Sequence, residues 1–296
     1  MSRSLRPAGA RYGRLPIVFG ITGSILVAEV VGGLLSHSLA LLADAAHMLT
    51  DVATLGLALG AIWLAARPSD DGRTFGLYRV EILAAVINAV LLFGVAGLLL
   101  FEAWRRLAEP PDVVTGLMLG VAVAGLMANA LSLRLLHQSR AHSLNMRGAY
   151  LEVLGDLLGS VAVIVAAAVI AVTGFRVADP IASALIAVLI LPRVWKLLRD
   201  AVDVLLEATP KGVDMEEVRR HIRETPGVAD VHDLHAWSIT SGMNVVSAHV
   251  VMDGTADPPE VLDQLCRCLA GDFDIEHSTF QLEPEDRRRT EEAAHR

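Results

Sequence analysis

Long apolar runs separated by short polar breaks fill the first two-thirds of the chain, and shorter alternating patterns fill the rest. Crossing a ~30 Å hydrocarbon core takes about 20 apolar residues as a helix. Six runs meet that length: 15–35, 39–64, 80–100, 113–136, 149–172 and 177–198. Turn residues and charges mark the breaks, among them Ser36-His37-Ser38, Glu109-Pro110-Pro111-Asp112 and Thr173-Gly174-Phe175. After residue 205 the pattern predicts α-β-β-α-β. Residues 214–224 form an amphipathic helix, 228–240 and 243–252 are strands joined at Ser241-Gly242, 258–269 are helical and 275–283 alternate. Two helices on one face of a small three-stranded sheet make a compact domain. The fold class is thus an α-helical membrane protein, a six-span bundle followed by a small α+β domain. Its expected limits are an arm at 1–14, a membrane domain at 15–205, a soluble domain at 206–286 and a charged tail at 287–296.

Composition sharpens this division. The chain has 296 residues, is 53% hydrophobic and has a mean hydropathy of +0.50, high for a soluble protein of this size. Its net charge of −8 averages two unlike parts: 16 basic and 14 acidic residues in 1–205, against 9 basic and 19 acidic in 206–296. No basic patch suggests nucleic acid. Lys and Arg near the span ends set orientation. One side carries Arg3, Arg6, Arg11, Arg14, Arg67, Arg73, Arg79, Arg134, Arg140, Arg147, Arg193, Lys196 and Arg199, and the other only Arg105, Arg106 and Arg176. Both termini are therefore expected in the cytoplasm, and the basic N-terminus reads as an arm, not a signal peptide.

Ionisable groups inside spans cost roughly 2.5–3.5 kcal/mol each on insertion scales and mark function. Span two holds His47 and Asp51, and span five holds Glu152 and Asp156. A spacing of four puts each pair on one helix face. With a rise of ~1.5 Å per residue, His47 and Asp51 lie roughly 16 and 10 Å above the inner edge, and Glu152 and Asp156 roughly 7.5 and 13.5 Å. The pairs overlap in depth. One imidazole and three carboxylates suit a tetrahedral divalent ion such as zinc, leaving no open position for an activated water. Asp44, one turn before His47, is placed behind the ligands or along the pathway. Asn88 and Asn129 are expected to bond between helices. Glu29 and Asp179 are expected near span ends or packed against other helices, with no chemistry assigned.

In the soluble part, alternation puts His249, His277, Gln281 and Glu283 on the sheet face away from the helices. His232 and His235 fall on opposite faces, so either one can join them. Ordinary surface histidines at a dimer interface are the competing reading. Cys266 and Cys268 are the two cysteines; two apart on a helix, they share no face and make a poor metal clip. His221 and His295 read as solvated, as do His137 and His142 in the span four–five loop, and Asp70 and Asp71 read as surface charge.

These residues resemble the cation diffusion facilitator family, of the bacterial zinc, cobalt and cadmium exporter type. The resemblance rests on SLALLADAAHMLTDVATLGLAL, FGLYRVEILAA, NMRGAYLEVLGDLLGSV, ADPIASALIA and HDLHAW, and runs from about Arg14 to about Glu283. It implies a homodimer of six-span protomers in the cell's inner or plasma membrane, a cytoplasmic ferredoxin-like metal-binding domain, and exchange of metal for protons. It puts His47, Asp51 and Asp156 on transport-site positions. Glu152 stands where many members have His or Asp, which leaves selectivity open among Zn2+, Co2+ and Cd2+. It also favours regulatory metal binding by the tail histidines. An intramembrane metalloenzyme and a metal sensor without transport are the alternatives; the first lacks an H-E-x-x-H motif.

Overall fold

The computed structural model describes residues 15–65, 71–137, 144–275 and 277–284. The side chains of 15–19, 51, 54, 55, 57–59, 61–65, 135–137 and 144–152 lie outside that description. So do Arg3, Arg6, Arg11, Arg14, Arg67, Asp70, Arg140, His142 and His295 as whole residues.

Six apolar helices form the transmembrane bundle: α1 (Leu15–Ser36), α2 (Leu39–Ala65), α3 (Arg79–Ala108), α4 (Thr115–His137), α5 (Leu144–Thr173) and α6 (Ala178–Leu205). Among the described residues, α3 to α6 are each long and apolar enough to cross a membrane. The described apolar stretches of α1 and α2 are shorter, Gly20–Ser36 and Leu39–Thr50. α3 runs beyond the apolar stretch of 80–100, through Arg105 and Arg106. Glu102 supports that last turn, 3.4 Å from Arg105 and 2.9 Å from Arg106. α6 keeps Pro192 inside a continuous helix, which a bundle tolerates where neighbours re-satisfy the freed carbonyl.

The chain divides into two compact units. The first comprises Met1–Leu59 and Ile87–Leu198. Its core is rich in alanine, including Ala40, Ala43, Ala89, Ala122, Ala166, Ala167 and Ala187 around Leu41, Met118 and Val163. Small residues let helix backbones approach in lipid, where no hydrophobic force favours one apolar surface over another. The large side chains Val27, Leu91, Leu98, Val172 and Leu189 instead point outward. Asp179 has a structural task. Its carboxylate accepts from Ser38 Oγ (2.6 Å), Leu39 N (2.8 Å) and Ala40 N (3.1 Å), so a residue of α6 satisfies the first amides of α2.

The second unit comprises Gly60–Val86 and Arg199–Arg296. It holds α7 (Met215–Arg223), β1 (Val228–Thr240), β2 (Met243–Met252), α8 (Pro258–Asp272) and β3 (His277–Pro284). The sheet order is β1-β2-β3, with β1 antiparallel and β3 parallel to β2. Parallel pairing needs a crossover, and α8 supplies it. Val246, Ala248 and Val250 of β2 pack with Val218 and Ile222 of α7 and Val261, Leu265 and Leu269 of α8. The opposite face of β2 carries Val245, Ser247, His249 and Val251. Asp214 caps α7 by accepting from Glu216 N and Glu217 N. At the start of α3, Arg79 lies 2.7 Å from Glu207, and Glu81 accepts from Thr240 Oγ1 at 2.5 Å.

Candidate metal centres

The first centre lies in the bundle. His47 of α2 and Asp156 of α5 meet with Nε2 and Oδ1 3.6 Å apart. Asp156 is buried and His47 is half-buried. One turn further along α5, Ser160 Oγ donates to Asp44 Oδ2 at 3.3 Å, so Asp44 faces α5 as His47 does. The approach is possible because α5 carries Gly155 and Gly159. A Cβ at Gly155 would sit 3.4 Å from His47 Nε2, and one at Gly159 would collide with Asp44 Oδ1. These glycines form a G-x-x-x-G spacing, legible in LGDLLGS yet not singled out from the sequence. Asp51 and Glu152 occupy α2 and α5 one turn from their partners, but their side chains lie outside the described residues.

Of the two expected placements, Glu29 takes the second, packed against another helix. It is buried mid-bundle, with Oε1 2.8 Å from where a Cβ of Gly125 would stand, and neither carboxylate oxygen has a hydrogen-bond partner among the described residues. Asn129 is buried inside the bundle, and its Nδ2, like that of Asn88, likewise finds no described partner.

The second centre lies on the sheet. His232, His249 and Glu283 each offer a ligand atom within 4.8 Å of the others. His232 Nε2 lies 3.3 Å from Glu283 Oε2, and His249 Nδ1 lies 3.0 Å from Glu283 Oε1. The Glu283 carboxylate is buried and receives Gln281 Nε2 at 2.6 Å. Neither His235 nor His277 joins this cluster. His235 contacts Asp233 at 2.9 Å, its side chain 64% exposed against 21% for His232 and His249. Its neighbour in β2 is Ser247, whereas His232 pairs with His249. A bulge centred on Asp233, whose φ is +50°, sets two residues of β1 (Asp233 and Leu234) against one of β2 (Ala248) and so breaks strict alternation. His277 opposes Val245 at the far end of β3 and stacks edge-on with Phe75, ring centroids 5.6 Å apart.

A third group was missed. His221 on α7 and Cys268 and Asp272 on α8 also converge within 4.8 Å. The expectation that His221 is solvated and alone is thereby corrected. Burial, with Asp272 beside it, pushes the Cys268 thiol above its ordinary pKa.

With this geometry in view, comparison with known sequences is decisive. Residues 15–206 match the cation efflux transmembrane domain, and residues 210–285 match the cation efflux protein cytoplasmic domain. The chain belongs to the cation diffusion facilitator family. It is a cation efflux carrier and not an enzyme. The metal cation efflux system protein CzcD of Cupriavidus metallidurans is 50% identical over 93% of this chain and 87% of its own. The zinc transporter ZitB of Escherichia coli is 46% identical over 91% and 87%. A cadmium, cobalt and zinc/H(+)-K(+) antiporter of Bacillus subtilis is 39% identical over 94% and 90%. A solved metal-bound C-terminal domain of the C. metallidurans transporter is 49% identical, covering 24% of this chain and 99% of its own, with a TM-score of 0.23.

Proposed function

We propose that this carrier exports zinc, with cobalt and cadmium as related cargo, from the cytoplasm in exchange for protons, at a site built from His47, Asp51, Glu152 and Asp156. The observation that supports it most is the 3.6 Å approach of His47 Nε2 to Asp156 Oδ1 between α2 and α5. Asp51 and Glu152 are added by the helical period, one turn from each. Asp44 stands behind the set, held by Ser160. Three carboxylates and one imidazole suit a borderline divalent ion, and the zinc, cadmium and cobalt in the relatives' names support the same cargo.

Coupling follows from ligand chemistry. An imidazole or carboxylate holding a proton does not hold metal, so binding and protonation compete at one site. A cytoplasm-facing state takes up the ion on deprotonated ligands. Reorientation exposes the site outward, where protons displace the ion and return inward on the same groups. The antiport named for the Bacillus relative supports this exchange and raises potassium as a further counter-ion. The protein works as a homodimer in the inner or plasma membrane with both termini cytoplasmic. Residues 15–205 carry transport and 206–286 regulation, flanked by the arm at 1–14 and the tail at 287–296. His232, His249 and Glu283 hold a regulatory zinc on the sheet, where two imidazole nitrogens and a buried carboxylate match that ion's donor set.

Proteoliposomes containing only this protein test the reading. An imposed proton gradient accelerates zinc movement in wild type, with and without potassium, and Asp156→Asn abolishes the response. Zinc flux indifferent to both pH and potassium gradients overturns the exchange.

A further inference from the structure

We infer that His221, Cys268 and Asp272 form a second cation site on the cytoplasmic domain, one that takes a thiolate-seeking divalent ion such as zinc, cadmium or cobalt. It lies on the helix side of the sheet, whereas His232, His249 and Glu283 occupy the other face. Three different donor types from two helices meet there.

The geometry is close to that of a bound ion. A tetrahedral zinc, with Zn–S near 2.3 Å and Zn–N near 2.0 Å, keeps its donors roughly 3.3–3.6 Å apart. Cys268 Sγ already lies 3.5 Å from Asp272 Oδ2. The i, i+4 spacing on α8 sets that pair, and the His221 donor lies within 4.8 Å of both, so the histidine needs to close in by at most about 1.5 Å. His221 is prepared for this. Its Nδ1 lies 2.9 Å from the carbonyl oxygen of Glu217, one turn back on α7, and donating there leaves Nε2 as the free acceptor. A backbone carbonyl on the second ring nitrogen is the arrangement that fixes the tautomer and orientation of metal-binding histidines. Phe273 packs edge-on against the ring, centroids 5.0 Å apart, and holds it toward α8.

The electrostatics agree. His221 lies in the last turn of α7 and Asp272 is the last residue of α8. Both helices present their negative ends at this point, which favours a cation. The donor set of one sulfur, one nitrogen and one oxygen leaves a fourth position for water and is softer than the sheet cluster, which contains no sulfur. Binding replaces the thiol proton: the S–H bond breaks, a sulfur–metal bond forms, and one proton leaves to solvent per ion bound.

The chain's two cysteines make the test specific. Cobalt(II) is titrated into the full-length protein in detergent while the near-ultraviolet sulfur-to-cobalt charge-transfer band is recorded. At saturation the band is expected to reach the intensity of one cobalt–thiolate bond per protomer, whatever cobalt the sulfur-free sites also take. It survives Cys266→Ser, since Cys266 instead meets Ser278 Oγ at 3.4 Å. It disappears in Cys268→Ser, and His221→Gln weakens cobalt affinity by roughly ten-fold or more. Far-ultraviolet circular dichroism confirms that the variants fold. As a second readout, zinc slows alkylation of the remaining thiol in Cys266→Ser by at least about ten-fold, and His221→Gln removes that protection. No band at saturating cobalt, a band that persists in Cys268→Ser, or full zinc protection in His221→Gln would each overturn the site. None of these readouts depends on transport.

Discussion

Single residues decide whether the bundle can hold an ion. His47 and Asp156 meet 3.6 Å apart across a gap kept narrow by glycines on α5, and in the proposed site each would supply one donor. Replacing either with alanine is expected to cut zinc flux in vesicles by at least roughly 10-fold to 100-fold, on the scale of losing metal-site support. Gly155 and Gly159 separate two effects. In Gly159→Ala the new methyl strikes the Asp44 carboxylate, so transport should fall sharply although no ligand is removed. Gly155→Ala meets His47 at 3.4 Å, an ordinary contact, and should be the milder of the two. Equal activity of both variants with wild type in the vesicle assay would show that Asp44 has no part in the pathway. The Cys268 thiol gives a pH prediction. Burial and then Asp272 disfavour the thiolate, so its pKa is raised. In metal-free Cys266→Ser, alkylation should therefore rise only at higher pH than for a free thiol. A profile at or below that of free cysteine contradicts the effect of burial.

At the scale of elements, the signals that end helices were partly hidden in the sequence. Asp179 read as a polar residue without a task. In the fold it caps a helix that lies 140 positions earlier in the chain, accepting from Leu39 N and two neighbours. Asp179→Ala should cost about 0.5–2 kcal/mol, visible as a lower melting temperature in detergent, while Asp179→Asn retains most of that through its amide oxygen. An alanine variant melting with wild type would mean that water serves those amides as well. The strands show the same division. Their boundaries were legible because alternation and the Ser241-Gly242 turn are local signals. The bulge at Asp233 was not, because nothing in HDLHAW states that one extra residue sits opposite β2. With that residue taken up by the bulge, His235 pairs with Ser247, two positions from His249, and His232 lies beside His249.

At the scale of the whole molecule, a lipid-solvated bundle and a water-solvated α/β sheet follow different packing rules in one chain. The bundle core is rich in alanine and its helices approach closely at glycines, whereas the sheet closes mainly on valine, leucine and isoleucine. Because the second core is complete without α1, α2, α4 or α5, residues 206–286 alone should fold with a single cooperative thermal transition. In that fragment carrying Cys268→Ser, zinc at 100 times its dissociation constant should raise the stability by about 2.7 kcal/mol, and removing both His232 and His249 should abolish most of this. A fragment without a transition would place its stability in the membrane half. What the sequence by itself determined was local: six apolar lengths, charge bias at their ends, strand alternation, and two pairs of ionisable residues spaced one turn apart on α2 and α5. These depend on residues within a turn or two of each other, where the period of the element is enough. What the tertiary structure decided was every meeting between distant segments: His47 with Asp156, Asp179 with the start of α2, His232 rather than His235 with Glu283, and His221 with Cys268. Such pairs are set by packing and by a bulge in register, and neither leaves a periodic trace in the order of residues.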